Sequence, residues 1–187
     1  MIVNLDNVDI INDNEIEITP FTMITGVNGS GKSAILNEIE KQNKSVKRYK
    51  WSGLSLFENN FKDEFANILL FEQPETGLHP NLQLKAIDLL LDLMKLGKTV
   101  VIETHSDHFL NRIVRRYLEN EEIRNKVRVY FLDYNNNSRV SNVILADINP
   151  IEGSKRISSN FFEQFADETL EIINAAYKNM QKEKLSK

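Results

Sequence analysis

The residues best suited to chemistry come early, as Gly26-Val27-Asn28-Gly29-Ser30-Gly31-Lys32-Ser33. They satisfy the pattern G-x-x-x-x-G-K-[ST] without a mismatch. Glycines let successive backbone N–H groups turn inward onto phosphate oxygens. A helix beginning near Gly31 adds the positive end of its dipole. The Lys32 ammonium reaches β- and γ-phosphates, and the Ser33 hydroxyl is a Mg²⁺ ligand. The spacing predicts a cradle for ATP with Mg²⁺, built from Asn28, Gly29, Ser30, Gly31, Lys32, Ser33 and Ala34.

Two later strand ends carry further candidates. Ile68-Leu69-Leu70-Phe71-Glu72 is an apolar run ending in an acid, and Gln73-Pro74-Glu75 extends it. Glu72 is expected to hold Mg²⁺, directly or through water. Val100-Val101-Ile102-Glu103-Thr104-His105-Ser106 ends where the phosphates would sit, at the carboxyl edge of a sheet. That places His105 within reach of the γ-phosphate or the attacking water. His79 and His108 lack this placement. The first is read as part of the loop after the acidic strand, the second as a helix-start residue.

Such groups meet only if strands and helices alternate around one sheet. Phe21–Thr25 leads into the glycines, and a helix from Ser33 to Gln42 leads out, with Ile35, Leu36 and Ile39 on one face. Ile68–Phe71 and Thr99–Ile102 have the continuous apolar character of buried parallel strands. Helices are expected after Trp51-Ser52-Gly53-Leu54-Ser55 to about Phe65, over Leu82–Leu96 closed by Gly97, and over Phe109–Glu121. Val127–Leu132 and Val140–Leu145 flank a turn at Asn135-Asn136-Asn137, and a last helix is expected from Phe161 to Met180. Near the start, Ile2–Leu5, Val8–Ile11 and Glu15–Ile18 read as strands, with an antiparallel hairpin turning at Asn12-Asp13-Asn14 on the edge of the main sheet. The expectation is an α/β fold with helices on both faces of a mixed sheet, as a single compact domain over 1–187.

Composition narrows the class. The chain has 187 residues, 41% hydrophobic and 27% charged, and no apolar run long enough to span a bilayer. The start lacks the pattern of a signal peptide. With no cysteine, disulfides and thiolate metal sites are excluded, which is compatible with the cytoplasm. A net charge of −4 leaves any nucleic-acid contact to a local patch.

Gly26–Ser33, the run Leu69–Glu75 with Leu78-His79-Pro80, and Glu103-Thr104-His105-Ser106, in that order, resemble an ATP-binding-cassette (ABC) ATPase. The branch is the non-transporter one that includes SMC, RecF and OLD-type ATPases. The phrase around Glu72-Gln73-Pro74-Glu75 is similar to that of bacterial AAA-type ATPases. Relatives of this branch act in DNA repair or phage defence. The resemblance implies that Lys32 and Ser33 bind phosphates and Mg²⁺, Glu72 the metal and His105 the γ-phosphate. It further implies two heads pairing on ATP, with Glu75–His79 crossing to the partner, as a homodimer or higher oligomer that gates a protein effector.

Departures from the pattern matter. Only Ala34–Asn67 is available for the family's helical lobe, so that lobe is absent or minimal, about 41–67. The signature motif is reduced to Ser52-Gly53 or Ser55, whose alternative reading is a turn before a helix. Gln73 stands at the usual catalytic glutamate, and a glutamine cannot take a proton as a carboxylate does. The catalytic candidates are Glu72, Gln73, Glu75 and His105, and either turnover is slow or Glu75 substitutes as the base. Two readings stay open, a cycling ATPase and an ATP sensor with little hydrolysis; a small-molecule kinase is disfavoured by the Thr-His-Ser strand end.

Weaker signals have plainer readings. Lys41, Lys44, Lys47, Arg48 and Lys50, beside Tyr49 and Trp51, read first as a solvated connection and second as a nucleic-acid contact. Arg112, Arg115 and Arg116 form a basic face or pair with Glu119 and Glu122. Phe161, Phe162, Phe165, Leu170 and Ile173 read as core or interface.

Overall fold

A computed structural model of the protein describes residues 1–50, 53, 55–59, 61, 64–149 and 153–156. Trp51, Ser52 and the expected helix over 161–180 lie outside them. The chain divides into two compact units, Met1–Lys155 and Arg156–Lys187, and every candidate site residue lies in the first.

Six strands make the central sheet: β3 (Phe21–Gly26), β4 (Val46–Lys50), β5 (Ile68–Glu72), β6 (Thr99–Glu103), β7 (Val127–Asn135) and β8 (Val140–Leu145). Their spatial order is β4-β5-β6-β3-β7-β8. All neighbours pair in parallel except β7 and β8, which form an antiparallel hairpin. Alternation along the strands sends side chains to two buried faces. Ile24, Ile68, Leu70, Val101 and Leu132 join α1 (Lys32–Gln42) through Ile35, Leu36 and Ile39. The opposite parity, Met23, Leu69, Phe71, Val100, Ile102 and Phe131, is equally buried. α3 (Pro80–Lys95) supplies the buried residues Ile87, Leu90, Leu91 and Met94, and it packs against β6 and α4 (Asp107–Glu119).

The ends of these helices follow from their residues. His79 caps α3, its Nδ1 accepting from the Asn81 N–H, and Pro80 takes the first helical position, where no backbone donor is needed. After Leu96, Gly97 sits at φ 88° and its N–H closes onto the Met94 carbonyl. Ser106 caps α4, accepting from the Phe109 N–H, so that helix begins at Asp107 with His108 exposed on its first turn. It ends at Glu119; Asn120 then caps the short α5 (Glu121–Arg124). Among the described residues no helix is long and apolar enough to cross a membrane.

The N-terminal hairpin forms between β1 (Ile2–Asn4) and β2 (Glu15–Glu17) and is a two-stranded sheet of its own. Val8–Ile11, expected as a strand, is instead a run of turns. Leu5, Val8 and Ile11 are all buried, a spacing of three rather than two. The Val8 N–H donates to the Leu5 carbonyl and the Ile11 N–H to the Val8 carbonyl. β9 (Asp147–Asn149) and β10 (Gly153–Arg156) form another small sheet.

The basic stretch before the acidic strand is not a solvated connection. Its second half is the edge strand β4, in register with β5. Tyr49 packs between Phe61 and Phe71, with ring centroids 5.2 and 5.3 Å away, and the Arg48 side chain is only 10% exposed. The helix expected to about Phe65 is, in its described part, the single turn α2 (Ser55–Glu58), entered through a turn in which the Leu56 N–H meets the Gly53 carbonyl.

The arginines after His105 join α4 to α3. Arg112 and Arg116 both donate to Asp88, and Arg115 and Arg116 also hold Glu119. Burial pushes the Asp88 carboxyl up, but the hydrogen bonds from Arg116 and Arg112 outweigh it and bring the pKa to about 2. A depressed carboxylate contributes stability that is complete above its ordinary value of 3.8 and is lost as pH falls through about 2. Chemical denaturation at pH 5, 3 and 2 should therefore show the wild type losing stability faster than Asp88→Asn. Equal slopes would mean that the cluster contributes nothing.

A second expectation concerns Gly26, at φ 145°, where an added Cβ would stand 2.7 Å from the Leu132 carbonyl oxygen. At Gly97, φ 88°, an added Cβ meets nothing within 4 Å. Gly97→Ala should cost about 1–2 kcal/mol for the left-handed backbone alone. Gly26→Ala should cost a further ~1–3 kcal/mol for overlap with unyielding backbone. Urea denaturation checks the difference.

Candidate functional site

The glycine-rich segment joins β3 to α1, as its strand–loop–helix context predicts. Val27, Asn28 and Gly29 form an exposed tip, while Ser30 and Lys32 are buried and Ser33 and Ala34 half-buried. Ala34 and Ile35 N–H groups both donate to the Gly31 carbonyl, which starts α1 immediately beneath the loop. Lys32 Nζ donates to the carbonyls of Gly26 and Val27, at 3.0 and 2.8 Å. The loop is braced from outside the motif as well. Ser141 Oγ donates to the Ser30 carbonyl at 2.7 Å, and Ile10 and Ile11 sit where a Cβ on Gly31 would be.

Sheet order brings the other strand ends to the same edge. Glu72 and Glu103 are register partners across β5 and β6, and Ile24 pairs with Glu103 across β3 and β6. The carboxylate that touches the loop is Glu103. It is 2% exposed, and Ser33 Oγ lies 2.9 and 2.8 Å from its two oxygens. Glu72, the expected metal carboxylate, instead engages β4: Arg48 Nε donates to it at 3.0 Å, a second guanidinium nitrogen lies at 2.9 Å, and Lys50 Nζ at 3.7 Å.

Gln73 leaves β5 at φ 51°, a left-handed conformation uncommon outside glycine, and its N–H donates to the Glu103 carbonyl. That turn folds the chain back so that Glu75 faces β6. One Glu75 oxygen accepts from the His105 N–H at 2.8 Å; the other is buried without a partner. His105 is half-buried and feels the Lys32 charge. Lys32, Ser33, Glu75, Glu103 and His105 thus converge, with Glu72 and Gln73 on the neighbouring strand end.

Burial is the main electrostatic force here. It brings Lys32 down to about 8 against the opposing pull of Glu103 and Glu75. It pushes Glu75 up, against the His105 N–H, and Glu103 up, against the Ser33 hydrogen bond and Lys32. His105 is held down by burial and by the Lys32 charge. A cation and two carboxylates drawn out of water around one loop suit a ligand that brings both signs, such as a polyphosphate with a divalent metal.

The donor set fits Mg²⁺. The available groups are hard oxygens, namely the Ser33 hydroxyl, the Glu103 and Glu72 carboxylates and the unpartnered Glu75 oxygen. Among the described residues no three His, Cys, Asp or Glu side chains are arranged to cage a metal. The Ser30 hydroxyl is also buried without a partner at the loop.

Sequence reasoning passed over Glu103, Arg48 and Ser141. Glu103 had a readable signal, since an acid ends its apolar strand just as Glu72 ends β5. Arg48 and Ser141 had none, because their roles depend on which strands become neighbours.

The family described as AAA ATPase domain matches residues 52–110. A putative ABC transporter ATP-binding protein of Methanosarcina acetivorans is 38% identical over 50 residues, which are 27% of this chain and only 18% of that protein's length. Among solved structures, cbiO1 from Clostridium perfringens, described as part of the ABC transporter complex cbiONQ, is similar at TM-score 0.47 and 15% identity. That comparison covers 76% of this chain and 84% of the other. A nucleotide-free ATP-binding cassette from an ABC transporter is similar at TM-score 0.41 and 14% identity, over 65% of this chain and 80% of the other. Residues 52–110 are thus similar to the AAA ATPase domain family, and the glycine-rich loop between β3 and α1 carries the P-loop pattern.

Proposed function

We propose that this domain binds ATP with Mg²⁺, pairs with a second copy across the nucleotide, and hydrolyses it slowly to gate a protein effector. The resemblance stated above suggests DNA repair or phage defence as the setting. The observation that carries the reading is the convergence of Lys32, Ser33, Glu103, Glu75 and His105 on one loop at the carboxyl edge of the sheet.

In this reading the loop N–H groups and Lys32 hold the β- and γ-phosphates. The bound Mg²⁺ would draw charge from the phosphate oxygens, with Ser33 and a strand-end carboxylate as its protein ligands. His105, kept neutral by burial and by Lys32, donates a hydrogen bond to the γ-phosphate or orients the water. Glu75 is the base. Its first oxygen is fixed by the His105 N–H, and its second has no partner to lose on taking a proton. Gln73 orients and does not accept.

Steady-state ATP turnover by the purified chain, with and without Mg²⁺, tests this. Lys32→Ala should lose at least about 10²-fold in rate, and its ATP-dependent pairing, followed by light scattering, should go with it. Equal rates for wild type and variant would end the reading as an ATPase. Binding without turnover would favour the sensor, for which the glutamine at position 73 speaks.

Assigning the base to Glu75 has its own consequence. Glu75→Gln should reduce turnover by about 10²–10⁴-fold, the usual worth of a general base. Gln73→Glu should change it by less than ~10-fold. A large rise with Gln73→Glu would instead mark position 73 as the damped base.

A further inference from the structure

The two strand-end carboxylates are not equivalent. β6 lies between β3 and β5, so Glu103 is on the strand beside the loop strand and Glu72 one strand further out. With neighbouring strands about 4.8 Å apart, β5 runs roughly 10 Å from β3. Glu103 has both oxygens within 2.9 Å of Ser33 Oγ. A hydroxyl has one proton to give, so it can fully serve only one of those oxygens at a time. Among the described residues no ion pair engages Glu103. Glu72 has the opposite situation, with the Arg48 guanidinium on one oxygen at 2.9–3.0 Å and Lys50 at 3.7 Å. Arg48 is itself fixed by Asn37 and lies near Glu40 at 3.5 Å, both on α1. A carboxylate held by a largely covered guanidinium must break a charge-assisted hydrogen bond before it can serve a metal. Glu103 has only the Ser33 proton to release, from the hydroxyl that is itself the loop's metal ligand.

Resting on the ATP reading above, we propose that Glu103, rather than Glu72, is the carboxylate that holds the nucleotide's Mg²⁺ beside Ser33. Glu72 is then a positioning residue that ties the edge strand β4 to the site through Arg48. The reacting edge is thereby shifted one strand inward from the acidic motif that the sequence advertises.

The test is the affinity of the full chain for a fluorescent, non-hydrolysable ATP analogue, measured in Mg²⁺ and again in EDTA. The informative quantity is the ratio of the two. Wild type should bind more tightly in Mg²⁺. Glu103→Gln should reduce the Mg²⁺-to-EDTA ratio by about 10-fold or more while keeping its EDTA affinity, the sign that the loop remains folded. Glu72→Gln should reduce the ratio less than Glu103→Gln does. An unchanged ratio in Glu103→Gln, or a larger loss in Glu72→Gln, would overturn the proposal. If circular dichroism shows that Glu103→Gln does not fold, Glu103→Asp decides, since the shortened carboxylate should lower the ratio and an unchanged one overturns the assignment. Wild type binding no analogue under either condition would refute the nucleotide reading itself, which none of the variant outcomes would do.

Discussion

The site depends on one constraint, the parallel insertion of β6 between β3 and β5. Parallel strands cannot join through a tight turn, so each must return by a crossover that packs on the sheet. The acidic strand β5 leaves through Gln73 and α3, and that helix delivers the chain to β6, directly beside the loop strand. Register then sets the chemistry: Glu103 lies level with Ile24 on one side and Glu72 on the other. A shift of a single residue would turn either acid to the opposite face.

Around that edge the fold places charge where it is costly to place it. The Lys32 ammonium, the Glu103 carboxylate and much of Glu75 are out of water, and each is displaced from its ordinary protonation range by burial. Their partners are backbone carbonyls, one hydroxyl and one N–H rather than full counterions. Such a cluster is poorly compensated by itself. The surrounding packing, with Ile35, Leu36 and Ile39 of α1 fully buried and both faces of the sheet covered, is what keeps it in place. By contrast, the Asp88 cluster between α3 and α4 is closed, its carboxylate matched by two arginines.

Much of this was readable from residues alone. The loop, the buried character of β5 and β6 and the amphipathic stripes of α1 and α3 follow from local spacing, and each local signal agrees with the fold around it. What was not readable depends on neighbours. Lys47-Arg48-Tyr49-Lys50 looks like a solvated basic run until β5 supplies a strand for it to pair with and Phe71 a ring for Tyr49 to stack on. Val8–Ile11 looks like a strand by composition, and only its three-residue burial spacing marks it as turns. Glu103 was legible as an acid ending a strand. Its contact with Ser33, however, requires knowing that β6 and not β5 adjoins β3.

The hydrogen bond from Ser141 to the Ser30 carbonyl spans 111 residues of chain. The phosphate loop therefore leaves a ribosome 111 residues ahead of the serine that braces it. Contacts of such long sequence separation form late, because the intervening chain must be ordered first. Until β8 emerges, the loop lacks its brace and β7 lacks its antiparallel cover. A nascent chain would thus carry the whole glycine-rich motif yet hold no finished site. Capture of nucleotide would report that synthesis has passed the last strand of the sheet.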